Sequence, residues 1–221
     1  VDLRARPPPG AAGRHRPGRW LRVMLDRHAR RLYAPALKPV SAAATRAGIG
    51  AGTITTAALI LGIGACVAAA LSAWIAALAL WLLNRGLDGL DGAVARHGSP
   101  SELGGMLDFL ADFVVYGGFI VAVAIAVPHA RVACTALLAA YLLNNVALLS
   151  FATLIEKHGL DLGDQRSLPF TAGLTEGTET ILAYVAICLT PRHAELIAWI
   201  FTGMVLITVG QRIALAIRTL G

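Results

Sequence analysis

Charge is scarce in this chain, and covalent or metal-thiolate staples are missing. Only 14% of its 221 residues are charged, against 57% hydrophobic, and the mean hydropathy is +0.67. Soluble domains carry about a quarter charged residues, so this composition excludes an ordinary soluble domain and places the chain in the membrane class. The three cysteines, Cys66, Cys134 and Cys188, sit singly inside apolar runs with no CxxC pair. That excludes a disulfide framework and a zinc ribbon, and leaves them as small packing residues. The histidines show no ligand spacing, and no internal repeat is visible. A net charge of +6 would suit nucleic acid, but its distribution points to a lipid bilayer and to no nucleic-acid partner.

Val1–Trp20 is rich in Pro, Gly and Arg. It has no apolar stretch of its own, so a flexible basic tail is expected at residues 1–20 and not a secretory signal peptide. Leu21–Ala47 mixes apolar residues with Arg22, Arg27, Arg30, Arg31, Lys38 and Arg46. This suits an amphipathic juxtamembrane helix, its cations toward anionic lipid heads. Residues 48–221 then carry six apolar segments: Thr53–Leu71, Ala73–Gly89, Gly105–Val127, Val132–Ile155, Leu174–Thr190 and Ala194–Ala216. The expected fold is an all-α integral membrane bundle of six spans at about 20 residues each. The joins at Ser72, Pro128–Arg131 and Pro191–His193 are very short, and the others are longer and polar.

Lysine and arginine set the orientation. Of 19 such residues, only Arg131 and Arg192 lie in the joins after the third and fifth spans. The positive-inside rule therefore puts both termini in the cytoplasm of a multi-pass inner-membrane protein. Gly62, Gly64, Gly117 and Gly118 are small residues of the kind that let helices approach closely in lipid.

Carboxylates break the apolar pattern at one place. Arg85–Asp112, RGLDGLDGAVARHGSPSELGGMLDFLAD, holds Asp88 and Asp91 near the end of the second span and Asp108 and Asp112 near the start of the third. Spacings of three and four put each pair on one helix face. Gly98 and Pro100 let the chain turn back between them, so the pairs can face each other on the cytoplasmic side. Acidic groups at a membrane are expensive and functional by default. Four together repel unless cations sit between them, and hard oxygen ligands favour Mg²⁺ or Mn²⁺. Two such ions suit phosphoryl displacement. A divalent-cation transporter is the rival from another class.

The pattern Asp88-x-x-Asp91-Gly92-x-x-Ala95-Arg96…Gly104-x-x-x-Asp108-x-x-x-Asp112 resembles the signature of the CDP-alcohol phosphotransferase (CDP-alcohol phosphatidyltransferase class-I) family. These are membrane enzymes of phospholipid synthesis, typically with six spans and often homodimeric. The resemblance implies transfer of a phosphatidyl group from CDP-diacylglycerol to an alcohol acceptor, with CMP released. A member with exchanged roles would instead give the phosphoalcohol of a soluble CDP-alcohol to a lipid hydroxyl. By position, the resemblance implies that Asp88, Asp91, Asp108 and Asp112 bind the metals, with Asp112 also the base for the acceptor hydroxyl. Gly92, Arg96 and Ser101 fall at donor-contacting positions. The chain departs from the family in two places. His97–Leu103 is one residue shorter than the usual spacing. Ala51-Gly52-Thr53-Ile54-Thr55 replaces Pro-Asn-x-x-Thr and keeps only its last Thr; Gly52 and Thr53 are the donor contacts expected there.

Overall fold

The computed structural model describes residues 39–48, 50–95, 102–159 and 177–220, and every regular element among them is helical. The helices are α1 (39–46), α2 (Ala51–Ala70), α3 (Trp74–Ala95), α4 (Glu102–Ala126), α5 (Arg131–Lys157), α6 (Gly177–Leu189) and α7 (Ala194–Leu220). The tail expected over residues 1–20, and all of the expected surface helix before residue 39, lie outside the described residues.

The short joins are tight turns. Ser72 links α2 to α3 in a left-handed conformation, φ 60°, held by bonds from its own N–H to Ala69 O and from Ala73 N–H to Ala68 O. Pro128 and Pro191 each open a single 3₁₀ turn, before α5 and α7 respectively. Proline is suited to a first helical turn because its missing N–H has no partner there anyway. Gly159 closes α5 at φ 61°, a conformation that costs glycine little.

Among the described residues, four stretches are long and apolar enough to cross a membrane: Ala51–Ala70, Leu103–Ala126, Pro128–Lys157 and Pro191–Leu220. α3 matches them in length, but its second half carries Arg85, Asp88 and Asp91. The described part of α6 is shorter, at 13 residues. Large aliphatic side chains such as Ile60, Leu71, Ile75 and Val132 point outward, as helices in lipid require.

Packing follows residue size. α2 buries Ile54, Ala58, Gly62, Ala65 and Ala69, a stripe of mostly small side chains that lies against α3 and α4. A Cβ added at Gly62 would overlap the Val115 side chain of α4 and come within 3.0 Å of Asn84 Nδ2. Gly118 similarly admits Cys66 Sγ, 3.2 Å from where its Cβ would stand. α5 packs on α7, and α3 on α6. The centre is aromatic: Trp81, Phe119 and Tyr184 are wholly buried, with Phe119 and Tyr184 stacked at 4.7 Å. Tyr184 donates its hydroxyl to Tyr116 O at 2.9 Å and meets Tyr141 Oη at 3.1 Å. A buried phenol needs such partners.

Candidate active site

The last turns of α3 and the first turns of α4, two helices that both pack on α2, bring their acids together. Ligand oxygens of Asp88, Asp91 and Asp108 lie within 4.8 Å of one another. Asp91 is the most enclosed, at 3% exposure. It is anchored from a third helix: Thr55 of α2 donates its hydroxyl to Asp91 Oδ2 at 2.8 Å and also reaches Ala51 O at 3.1 Å. A buried carboxylate without a donor or a cation is costly, so the α2–α3 contact is part of the site.

Asp112 lines the same cleft as Asp88 and Asp108 but falls outside the group of three. Its Oδ1 accepts instead from Arg85 Nη2 at 2.8 Å. Arg85 also lies 3.5 Å from Asp88 Oδ2, donates from Nη1 to Tyr116 Oη at 2.7 Å and donates from Nε to Asn84 Oδ1 at 2.7 Å. The guanidinium carbon lies 5.0 Å from the Trp81 ring centre and 4.9 Å from that of Tyr116. Asn84 is fixed in turn by donating Nδ2 to Ala58 O at 2.7 Å. Three acids and one enclosed arginine therefore share the cleft, with Asp91 grouped beside Asp88 and Asp108, an excess of negative charge that calls for cations.

The donor set fits a divalent metal. It is all carboxylate oxygen, three groups converge without any induced movement, and a hydroxyl fixes the innermost one. Hard ions such as Mg²⁺ and Mn²⁺ favour this set over zinc or copper. No His or Cys joins the group among the described residues.

The other expected positions divide. Gly92 follows Asp91 on α3 and is half-buried. Arg96 and Ser101 lie outside the described residues. Gly52 and Thr53 are exposed in the first turn of α2, in a shallow outer groove with Thr56 and Ile60, and they do not line the acidic cleft. The threonine that reaches the acids is Thr55, the one position kept from the family's Pro-Asn-x-x-Thr; that retention was the signal that could have singled it out. Arg85 was legible as a charge near the cluster, but its partner Asp112 was not.

Away from the site, Arg212 of α7 is 6% exposed and donates from Nη1 to Asn144 Oδ1 at 2.7 Å, across the α5–α7 contact. Such interhelical hydrogen bonds join helices in lipid.

A helical bundle with carboxylates converging from two helices suits metal-assisted phosphoryl transfer. The chain belongs to the CDP-alcohol phosphatidyltransferase family, whose family model matches residues 49–211, and so to that class of enzyme. It is 37% identical over 196 residues to the inner membrane protein YnjF of Escherichia coli (strain K12), covering 86% of this chain and 94% of that one. Its fold matches the crystal structure of Mycobacterium tuberculosis phosphatidylinositol phosphate synthase (PgsA1) with CDP-DAG bound. That match has a TM-score of 0.64 at 20% identity and covers 81% of this chain and 92% of the other.

Proposed function

We propose that the enzyme transfers a phosphatidyl group from CDP-diacylglycerol to the hydroxyl of an alcohol acceptor, releasing CMP. The observation that carries this reading is the convergence of Asp88, Asp91 and Asp108 within 4.8 Å, inside the segment that matches the family. The solved neighbour with CDP-DAG bound supports the choice of donor.

Asp88, Asp91, Asp108 and Asp112 would hold two Mg²⁺ or Mn²⁺ ions. When bound, the ions supply charge neutralisation at the attacking and leaving oxygens of the phosphoryl displacement. Asp112 takes the proton of the acceptor hydroxyl, at hydrogen-bond reach. The acceptor oxygen forms the new P–O bond, and the P–O bond to CMP breaks. Thr55 holds Asp91 in place. Gly92 leaves room for the cytidine, Arg96 pairs with the pyrophosphate, and Ser101, Gly52 and Thr53 complete the donor contacts.

The enzyme is a six-span inner-membrane protein with both termini and the site facing the cytoplasm. The amino-terminal region lies on the membrane surface, and two copies associate. Five helices of 20 to 27 residues with the shorter α6, the strong Lys/Arg asymmetry and the inner-membrane relative support a multi-pass arrangement of this kind. α3 and α4 run through the acidic positions unbroken, which favours catalysis over transport, where broken helices at the midplane are the rule.

The test is CMP release by purified enzyme with CDP-diacylglycerol, Mg²⁺ and a panel of alcohols. Acceptor-dependent CMP is expected. Release only from a soluble CDP-alcohol with diacylglycerol would reverse the roles of donor and acceptor. Divalent-cation flux into vesicles with no CMP from either donor would replace the enzyme by a transporter.

A further inference from the structure

Arg85 is held far more firmly than a charge at a helix end requires. Its side chain is 6% exposed. Asn84, Tyr116 and Asp112 receive its Nε, Nη1 and Nη2 hydrogens at 2.7, 2.7 and 2.8 Å, and two aromatic faces flank it. An arginine present only to reach the headgroups would extend outward along its aliphatic stem. This one turns inward, against Tyr116, and Asn84 is itself tied to α2 through Ala58. Stability alone is a poor reason for such a buried pair, because desolvation offsets most of the attraction. The consequence lies in what the pair does to Asp112. Three acids converge on one point, and the fourth is kept out of that group by the guanidinium.

We propose that Arg85 is a positioning residue that holds the Asp112 carboxylate apart from Asp88, Asp91 and Asp108, aimed for its role as base, and sets a limit on how tightly the cluster binds cations. This rests on the metal reading given under Proposed function. Arg85 opposes a divalent ion by its own positive charge and competes for the fourth carboxylate. Lysine cannot reproduce the planar fork that serves three acceptors at once.

The test measures Mn²⁺ affinity of the full-length, detergent-solubilised protein by the loss of the free-ion paramagnetic resonance signal, alongside kcat. In Arg85→Gln, Mn²⁺ binds about tenfold more tightly, as removal of one nearby like charge allows, while kcat falls about tenfold or more. Arg85→Lys keeps Mn²⁺ affinity within about twofold and still loses turnover. A merely structural residue would weaken both properties together. Mn²⁺ affinity that is unchanged or lower in Arg85→Gln overturns the proposal. If that variant does not fold, Tyr116→Phe decides. It removes one acceptor from Arg85 and leaves every charge, so kcat falls several-fold at unchanged Mn²⁺ affinity; wild-type kcat there overturns the proposal as well. Asp91→Asn separates the two readings. Wild-type Mn²⁺ binding in that variant defeats the metal site itself, whereas lost binding there with no gain in Arg85→Gln defeats only the role of Arg85.

Discussion

Thr55 and Asp91 lie on different helices, and a single 2.8 Å hydrogen bond from hydroxyl to carboxylate joins them. It ties α2 to the acidic end of α3 at the most enclosed of the four acids. Thr55→Val keeps the shape and removes the donor. A hydrogen bond to a charged group contributes about 1.5–3 kcal/mol, so Mn²⁺ binding should weaken by about tenfold or more, with kcat falling in parallel. Thr55→Ser should recover most of both. Equal Mn²⁺ titrations for wild type and Thr55→Val would remove Thr55 from the site.

Metal removal should be decisive and reversible. A chelator is expected to abolish CMP release, and Mg²⁺ or Mn²⁺ to restore it. Replacing any one of Asp88, Asp91 or Asp108 by Asn should cost at least about a hundredfold in turnover, since even groups that only support metal ligands cost ten- to a hundredfold. Activity that persists in excess chelator would contradict the site.

Asp112→Asn should behave differently from those three. With Asp88, Asp91 and Asp108 intact, Mn²⁺ and donor binding are partly kept while turnover is lost, because the base is gone. Single-turnover CMP release with CDP-diacylglycerol checks this; an undiminished rate would take the role of base away from Asp112.

Gly62→Ala tests the α2–α4 contact. The added methyl would overlap Val115 and stand 3.0 Å from Asn84 Nδ2. Overpacking of this kind costs about 1–3 kcal/mol, visible as a lower melting temperature in detergent. Gly64→Ala is the control, because its Cβ would stand 3.5 Å from Leu80 Cδ1, an ordinary contact. Adding Val115→Ala to Gly62→Ala should return part of the loss, and the double-mutant cycle measures how much.

Asn144→Leu should destabilise through Arg212. The substitution removes the side-chain acceptor of a guanidinium that is 6% exposed. Loss of a hydrogen bond to a charged group costs about 1.5–3 kcal/mol. Thermal unfolding monitored by helical circular dichroism would record the difference, and an unchanged midpoint would make this pair incidental.

The acidic site was legible because its signal is local. Asp88 and Asp91 share a helix face by spacing alone, as do Asp108 and Asp112, and the polar stretch between them implies a reversal of direction. Arg85 was ambiguous because the residues that hold it come from elsewhere: Tyr116 and Asp112 belong to the next helix, and no spacing rule couples them to position 85. Thr53 and Thr55 could not be ranked by periodicity, since α2 is apolar on nearly every side and its pattern does not reveal which face turns inward. The enclosure of Arg212 is hidden from the sequence for a related reason. Counting charges fixes the side of a membrane on which a residue lies but says nothing of whether it faces lipid heads or a neighbouring helix. The short proline joins, by contrast, were readable to within a residue or two, because proline acts on its own backbone.

The tight turn at Ser72 gives α2 and α3 the mechanics of tweezers. Their far ends are pinned a few residues apart, so the open tips can separate only by pivoting there. With a rise of about 1.5 Å per residue, Gly62 stands about 15 Å from the pivot and Thr55 about 26 Å. A displacement of about 0.5 Å at the crowded midpoint would therefore grow to nearly twice that at the tip, enough to break a 2.8 Å hydrogen bond. A missing side chain partway along the arm thus governs alignment at the acids beyond it.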